Sequence, residues 1–399
     1  MVSTGRDVHL MSATNTSSDV NTMHMQAEAH ALTIEDTLLH DIESFFKIYY
    51  SMFLVILGTV FNVLSIAVLQ RLAFRRTTAS VFLQYLAAID LVVLYIGLSR
   101  QVIQGVSGYD LRLTSEHLCR FHAWSTSCAP DASVWTLVAV TLERVVSIAW
   151  PHKVKTVCTR KIARVAITCI CVSAMCFNLP LLIFYGDRKV VDKTTNMTII
   201  HSCAPMNAED ETFIADIWYW LDIAKFILLP GAILISSSVV IVFLVIRSRQ
   251  RVAMGRFKHS QNGGVNSRAN NLGGEPTVSS LSQINIDSHR KLRVENGKKY
   301  TKTKQRTTIS RKEISVTITL VVINVVFLVC NTPVIVYLIG NALWFDCGSC
   351  PGQRLLFTMA LLAMYTSNAI NFLLYCATGS KFRGELRIMF MLLFKVKTI

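Results

Sequence analysis

Several ionisable side chains stand in apolar sequence that ought to exclude them. Asp90 follows "YLAAI", Asp131 lies in "SCAPDASVW", Lys225 lies in "IAKFILLP", and Glu143 and Arg144 sit side by side in "TLERVVSIAW". An adjacent carboxylate and guanidinium, partly withdrawn from water, form a charge-assisted, directional pair that can be exchanged for another partner. The bland alternative is a helix ending in charges at the lipid headgroups. A lone acid such as Asp90 in the middle of an apolar run is expensive, so it either serves a function or is held by a buried hydrogen-bond network. Neither a nucleophile with base and orienting group nor a set of metal ligands emerges, and an enzyme is therefore not expected.

The elements that carry these residues are apolar blocks. Of 399 residues 52% are hydrophobic and 16% charged, and the apolar ones gather in runs of about 20 or more, enough to cross a hydrocarbon layer of about 30 Å as helix. The blocks give seven spans, 46–70, 78–102, 116–149, 161–185, 213–247, 312–344 and 353–377, so the fold expected is an all-α membrane protein, a seven-helix bundle. Residues 1–45 lack an apolar signal region, and the first span is expected to direct insertion. Arg71, Arg75, Arg76, Lys153, Lys155, Arg160 and Lys161 fall in loops on one side, with a denser basic stretch between spans five and six. That side is cytoplasmic by the positive-inside rule, which puts the N-terminus outside at the plasma membrane. The net charge of +15 is then a topology signal and gives no ground for a nucleic-acid partner. Cys119, Cys203, Cys347 and Cys350 all fall on the oxidising side. So do the sequons at Asn15 and Asn196, candidate glycosylation sites.

From Cys119 to Arg144 a helix runs about 37 Å, so the cysteine and the Glu143-Arg144 pair mark opposite rims of span three. Further marks recur in order: Asn62 in "FNVLSIAV", Asp90, "ERV", Pro230 in "LLPGA", Pro333 in "FLVCNTP", Asn371 and Tyr375 in "SNAINFLLY", and "GSKFRGEL" opening a further helix. On these residues the chain resembles the rhodopsin-like (class A) G protein-coupled receptors, with the pattern of a divergent invertebrate-type peptide receptor. The resemblance covers the seven spans and a short amphipathic eighth helix.

The resemblance implies a switch. Arg144 pairs with Glu143 and with Glu313 at the foot of span six until a ligand swings that span outward and a heterotrimeric G protein enters; Asn371 and Tyr375 belong to the same switch. It implies a sodium ion around Asp90, Ser133, Ser367, Asn368 and Asn371, although the same residues also suit a plain hydrogen-bond network. No other cofactor is expected. It implies a Cys119–Cys203 disulfide, and Cys347-Gly-Ser-Cys350 reads as a local one. Asp131 and Lys225 lie at comparable depth and are expected to pair across spans three and five, or else one of them faces the ligand. The ligand pocket is expected among Arg100, Gln101, Gln104, Thr126, Asp222, Lys225, Asn331, Tyr337 and Tyr365. Thr126 stands where amine receptors have an aspartate and Tyr365 where opsins have a lysine. A broad mouth of mixed charge suits a peptide, the expected ligand; an environmental small molecule is the alternative, and a transporter or channel the remote one. Departures from the family pattern are the valine in "ERV", Ser238 in place of a tyrosine, Asn331 in place of a tryptophan, Phe372 in place of a proline, and a fourth span without tryptophan.

The remaining segments read as a disordered extracellular arm at 1–45, a disordered third cytoplasmic loop at 248–311 between the helices of 46–247 and those of 312–377, and an amphipathic helix with tail at 378–399. The loop is glycine-, serine- and lysine-rich. It offers Ser279, Ser280 and Ser282 to receptor kinases and arrestin, and its basic ends to membrane lipid.

Overall fold

A computed structural model describes residues 34–71, 74, 77–150, 154–191, 198–247, 250, 317–344 and 350–395. Its long helices are α1 (Ile34–Leu69), α2 (Thr78–Ser107), α3 (Glu116–Ala149), α4 (Arg160–Phe184), α5 (Ala208–Arg247) and α6 (Thr317–Leu343). A seventh, α7, runs in two pieces, Pro351–Ala369 and Asn371–Thr378, bent by 51°. Helix α8 (Ser380–Lys395) follows. These are six helices long and apolar enough to cross a membrane, or seven with the bent pair as one span.

The bundle is polar within and apolar without, as lipid demands. Ile56, Val165, Phe243 and Val336 are exposed, while Asn62, Ser65, Asp90, Thr136, Thr141 and Asn324 are fully buried. Two clusters of buried apolar side chains fill the rest. One, with Leu137, Leu320 and Phe372, lies toward the Arg144 end; the other, with Leu94, Leu98 and Tyr365, lies toward the Cys119 end.

Helix starts follow the side chains available to cap them. Thr77, Ser115 and Thr159 accept hydrogen bonds from the backbone amides of Ser80, Leu118 and Ile162, which satisfies donors at the N-termini of α2, α3 and α4. Gly108 closes α2 with φ 69, a left-handed turn that suits glycine.

Two features correct the sequence reading and a third adds to it. Helix α1 begins at Ile34, so residues 34–45, expected in a disordered arm, are helical. Buried Glu43 explains this: it accepts hydrogen bonds from Thr358 Oγ1 at 3.0 Å and pairs with Lys47 at 2.6 Å, which fastens the extra turns to α7. Helix α5 begins at Ala208 rather than 213, because Asn207 Oδ1 caps Asp210 N at 2.8 Å and Glu209, Asp210 and Glu211 occupy the first turn, where acids favour the helix dipole. The loop between α4 and α5 contains an antiparallel hairpin, β1 (Tyr185–Val191) and β2 (Thr198–Pro205). Asn15, Asn196, Glu313, Cys347 and, but for residue 250, the third loop lie outside the described residues.

Three irregularities in the helices each set a polar group in place. In α4 the helix breaks at Asn178, and a new helical piece starts at Leu179 with Pro180 in its first turn, where the ring nitrogen has no N–H to give to the Cys176 carbonyl. In α5 the turn Ala224–Leu228 widens into a π segment. Pro230 offers no N–H to Phe226 and its ring crowds that carbonyl, so the turn opens upstream. The bend in α7 needs no proline. Asn62 Nδ2 donates to the Asn368 carbonyl at 3.0 Å, and a side chain entering the backbone ladder there accounts for the kink. Phe372, in the place of the usual proline, stacks on Phe61 at 5.2 Å and meets Phe382 of α8 edge-on at 5.7 Å.

Candidate functional site: a polar spine through the bundle

At the Cys119 end, Cys119 and Cys203 form a disulfide that ties β2 to the start of α3. Cys350 is also disulfide-bonded. Arg100 does not face the mouth of the bundle as a free cation. Its Nε and Nη2 grip Asp110 at 3.1 and 2.7 Å, and Arg112 holds the same carboxylate from the other side at 2.8 Å. Burial alone would raise the Asp110 carboxyl, but the hydrogen bonds from both arginines outweigh it and hold the group well below the usual carboxylate range.

Other residues expected in the ligand pocket prove to be engaged inside the protein. The Thr126 hydroxyl turns back to its own helix, onto the His122 carbonyl at 2.7 Å. Asn331 Nδ2 donates to the Phe327 carbonyl at 2.7 Å. Tyr365 is buried over Gly97, where any side chain would collide with its phenol. Tyr337 packs on Phe357 at 5.0 Å, and Gln104 is half-buried near the end of α2. Acceptors remain open: Gln101 Oε1, His122 Nε2 and Asn331 Oδ1 are buried without a hydrogen-bond partner among the described residues. His122 was missed in the sequence, where a histidine near the outer rim carries no distinguishing pattern.

One layer deeper, the expected Asp131–Lys225 pair forms. Lys225 Nζ lies 2.6 Å from Asp131 Oδ2 and 2.6 Å from Asp222 Oδ1, with the rings of Trp218 and Phe177 at 5.7 and 6.0 Å. Asn178, from the break in α4, adds a hydrogen bond to the same Asp131 oxygen at 2.7 Å. So α3, α4 and α5 meet at one carboxylate that is 3% exposed. Trp135 fastens the widened turn by donating to the Lys225 carbonyl at 3.2 Å. Asn178 was not foreseen, because only the break directs its amide toward α3.

In the middle of the bundle Asp90, with 0% exposure, accepts from Ser133 Oγ at 2.7 Å and from Asn371 Nδ2 at 2.8 Å. Ser367 and Asn368 instead bond the Met364 carbonyl of their own helix. Ser133, Ser367, Asn368 and Asn371 line a cavity with about 10 Å³ of free volume, the room of one water-sized sphere. Asp90 reaches it through Ser133 and Asn371. Asp90 itself is not among the lining residues, and its two carboxylate oxygens are taken by Ser133 and Asn371.

Toward the other end, Asn324 of α6 joins three helices. Its Nδ2 donates to Thr141 Oγ1 of α3 at 3.2 Å and to Ser238 Oγ of α5 at 3.1 Å. Thr378 of α7 meets Thr319 of α6 at 2.8 Å. These contacts hold α6 against its neighbours, and they explain Ser238: a short hydroxyl reaches Asn324 where a tyrosine would overshoot. At the rim Arg144 Nε stands 2.8 Å from Glu143 Oε2, with side-chain exposures of 11% and 9%, and Ser147 donates to the other Glu143 oxygen at 3.3 Å. Tyr375 is buried against Phe382 at 5.4 Å.

Seven apolar helices, a disulfide from the start of α3 to the strand before α5, and a buried Glu-Arg pair at the far end of α3 define a seven-helix membrane receptor. The sequence pattern of the 7 transmembrane receptor (rhodopsin family) matches residues 61–375, and the chain belongs to that family, whose members are receptors rather than enzymes. Among curated proteins it is similar to Neuromedin-U receptor 1 of Rattus norvegicus, 30% identical over 169 residues, which is 41% of this chain and 40% of the relative. Neuromedin-U receptor 1 of Mus musculus is 30% identical over 131 residues, 33% of this chain and 30% of the relative. The chain thus matches less than half the length of either.

Proposed function

We propose that this receptor binds an extracellular peptide at the Cys119 end and activates a heterotrimeric G protein at the Arg144 end. The observation that carries the switch is the Glu143–Arg144 pair: nine-tenths buried, it sits on α3 beside a helix α6 that short polar contacts restrain. An outward movement of α6 breaks the Asn324 and Thr319 contacts and uncovers Arg144, which exchanges Glu143 for a partner in the G protein. Glu313 is the second acid proposed for the resting state. The names of the two relatives, receptors of neuromedin U, favour a peptide over an environmental small molecule. The open acceptors at Gln101, His122 and Asn331 supply a floor for donor groups of that ligand.

The same reading puts the N-terminus outside the plasma membrane, in accord with the basic loops at the Arg144 end. Asp90 with Ser133, Ser367, Asn368 and Asn371 holds a sodium ion that favours the resting arrangement. G protein activation in cells challenged with fractionated peptide and small-molecule pools tests the proposal, with a surface-expressed Arg144→Ala variant beside the natural chain. A response to a peptide fraction that is lost in the variant is the expected outcome. A response that survives Arg144→Ala refutes the switch, and a response confined to small molecules refutes the peptide.

A further inference from the structure

Charge is unevenly shared at the Cys119 end of the bundle. On the α2 side two arginines, Arg100 and Arg112, hold the single carboxylate of Asp110. On the α5 side the ratio is reversed, with one ammonium, Lys225, 2.6 Å from each of two carboxylates, Asp131 and Asp222. Asp131 is 3% exposed and must keep that counterion, because a buried carboxylate stranded without one is far costlier than one in water. Asp222, with its side chain 38% exposed, carries the excess negative charge. Lys225 is its one ion-pair partner among the described residues and takes Oδ1, which leaves Oδ2 open.

The surroundings of Asp222 decide what the open oxygen suits. Ile217, Trp220 and Leu221 are exposed and mark the lipid side of α5; Asp222 is set off that side, toward Tyr185 and Tyr219. Burial raises the Tyr185 phenol, Arg112 pulls it down and Asp222 pushes it up, so this ring lies within the fields of both the arginine and the acid. Tyr219, also in the field of Asp222, donates its hydroxyl to the Leu338 carbonyl at 2.6 Å and has its ring to offer. Aromatic faces beside a carboxylate suit a cation. Buried acceptors in the same cluster add to that preference. Asn178 gives its two amide hydrogens to Asp131 and to the Ala174 carbonyl, which fixes its Oδ1 as an acceptor. That atom and Asp131 Oδ1 have no hydrogen-bond partner among the described residues.

We propose that Asp222 anchors a basic side chain of the peptide ligand, its cationic group on Asp222 Oδ2 and its flank against the rings of Tyr185 and Tyr219. The inference rests on the reading of the Cys119 end as a peptide site. Such a cation balances the excess charge of Asp222 while Lys225 stays with Asp131, and its planar form, a guanidinium, stacks on a phenol as it bonds the carboxylate.

The test immobilises the full-length receptor in nanodiscs and offers it short N-acetylated, amidated peptide libraries, random in uncharged residues except for one central position fixed as arginine, citrulline or glutamate. Citrulline keeps the shape of arginine and lacks its charge. Retained peptides are counted by mass spectrometry. The natural chain should retain the arginine library about tenfold better than the citrulline library, the effect of one charge-assisted hydrogen bond. Asp222→Asn should bring arginine down to the citrulline level and leave citrulline within about twofold of the natural chain, which a misfolded variant would not do; Asp222→Glu should keep the preference. Equal retention of arginine and citrulline by the natural chain, or a preference that survives Asp222→Asn, overturns the proposal. Stronger retention of the glutamate library overturns it too, and assigns the ligand's charge to Arg100 and Arg112. The peptide reading is separated by a second probe, N-acetyl-arginine amide against N-acetyl-citrulline amide in thermal unfolding of the natural and Asp222→Asn chains. If no library is retained but the arginine amide alone stabilises the natural chain alone, the peptide is refuted and the cation site stands. If neither probe acts, the cation site is refuted with it.

Discussion

Replacing Lys225 by methionine keeps the side chain's length and removes its charge, leaving Asp131 buried with Asn178 as its hydrogen-bond donor. At 2.6 Å and an effective dielectric constant of about 20, the lost attraction is roughly 6 kcal/mol before desolvation is counted. Desolvation of the lysine offsets part of that, and truncating one partner of a buried pair costs about 3–5 kcal/mol. Asp222 adds little to the figure, because its side chain is 38% exposed and solvent screens it. Lys225→Met should therefore lower the apparent unfolding temperature of the solubilised receptor on the order of 5–10 °C, with reduced surface expression. Adding Asp131→Leu to Lys225→Met removes the stranded charge and should recover most of the loss, since apolar replacement of a whole buried pair is often neutral. The double-mutant cycle separates a pair from two independent sites. Strict additivity of the two changes would refute the reasoning. A charge swap is a poorer test: Lys225→Asp would set a carboxylate three residues from Asp222, and Asp131→Lys would point an ammonium at the Asn178 amide hydrogens.

Asn324→Leu removes the contacts to Thr141 and Ser238 and should shift the resting equilibrium by about 1–2 kcal/mol, a five- to thirtyfold gain in the active population; unchanged basal G protein activation would show that Asn324 only packs α6. Asp90→Asn should abolish any difference in agonist affinity between sodium and choline buffers while the protein still folds, and a persisting sodium effect would remove Asp90 from the ion's site. Asp110 titrates far below an unfolded aspartate, so its contribution is fully present above the unfolded value and is lost only as pH falls through the depressed folded one. The Asp110→Asn variant should be destabilised by about 1.5–3 kcal/mol at neutral pH. The natural chain should show no step in unfolding temperature from this group between neutrality and about pH 4; such a step would contradict the double arginine clamp.

The sequence by itself determined what depends on local chemistry and on the membrane as solvent. Apolar runs of sufficient length must be helices, because the hydrocarbon layer leaves a backbone polar group no partner but its own chain. Ionisable residues inside those runs must find counterparts, which is why Asp131 and Lys225 could be matched by depth alone and why Asp90 stood out. What only the tertiary structure decided are the contacts made by neutral polar side chains. Asn178, Asn324 and Thr141 look like any other polar residue in a span until a break in α4 or the approach of three helices gives them partners. Arg100 shows the converse. Its charge was legible but its partner was not, since Asp110 lies past the end of α2 and the turn at Gly108 brings it back. A charge in lipid carries its own demand for a partner, whereas an amide or hydroxyl can be satisfied by its own helix, and only packing reveals which choice it makes.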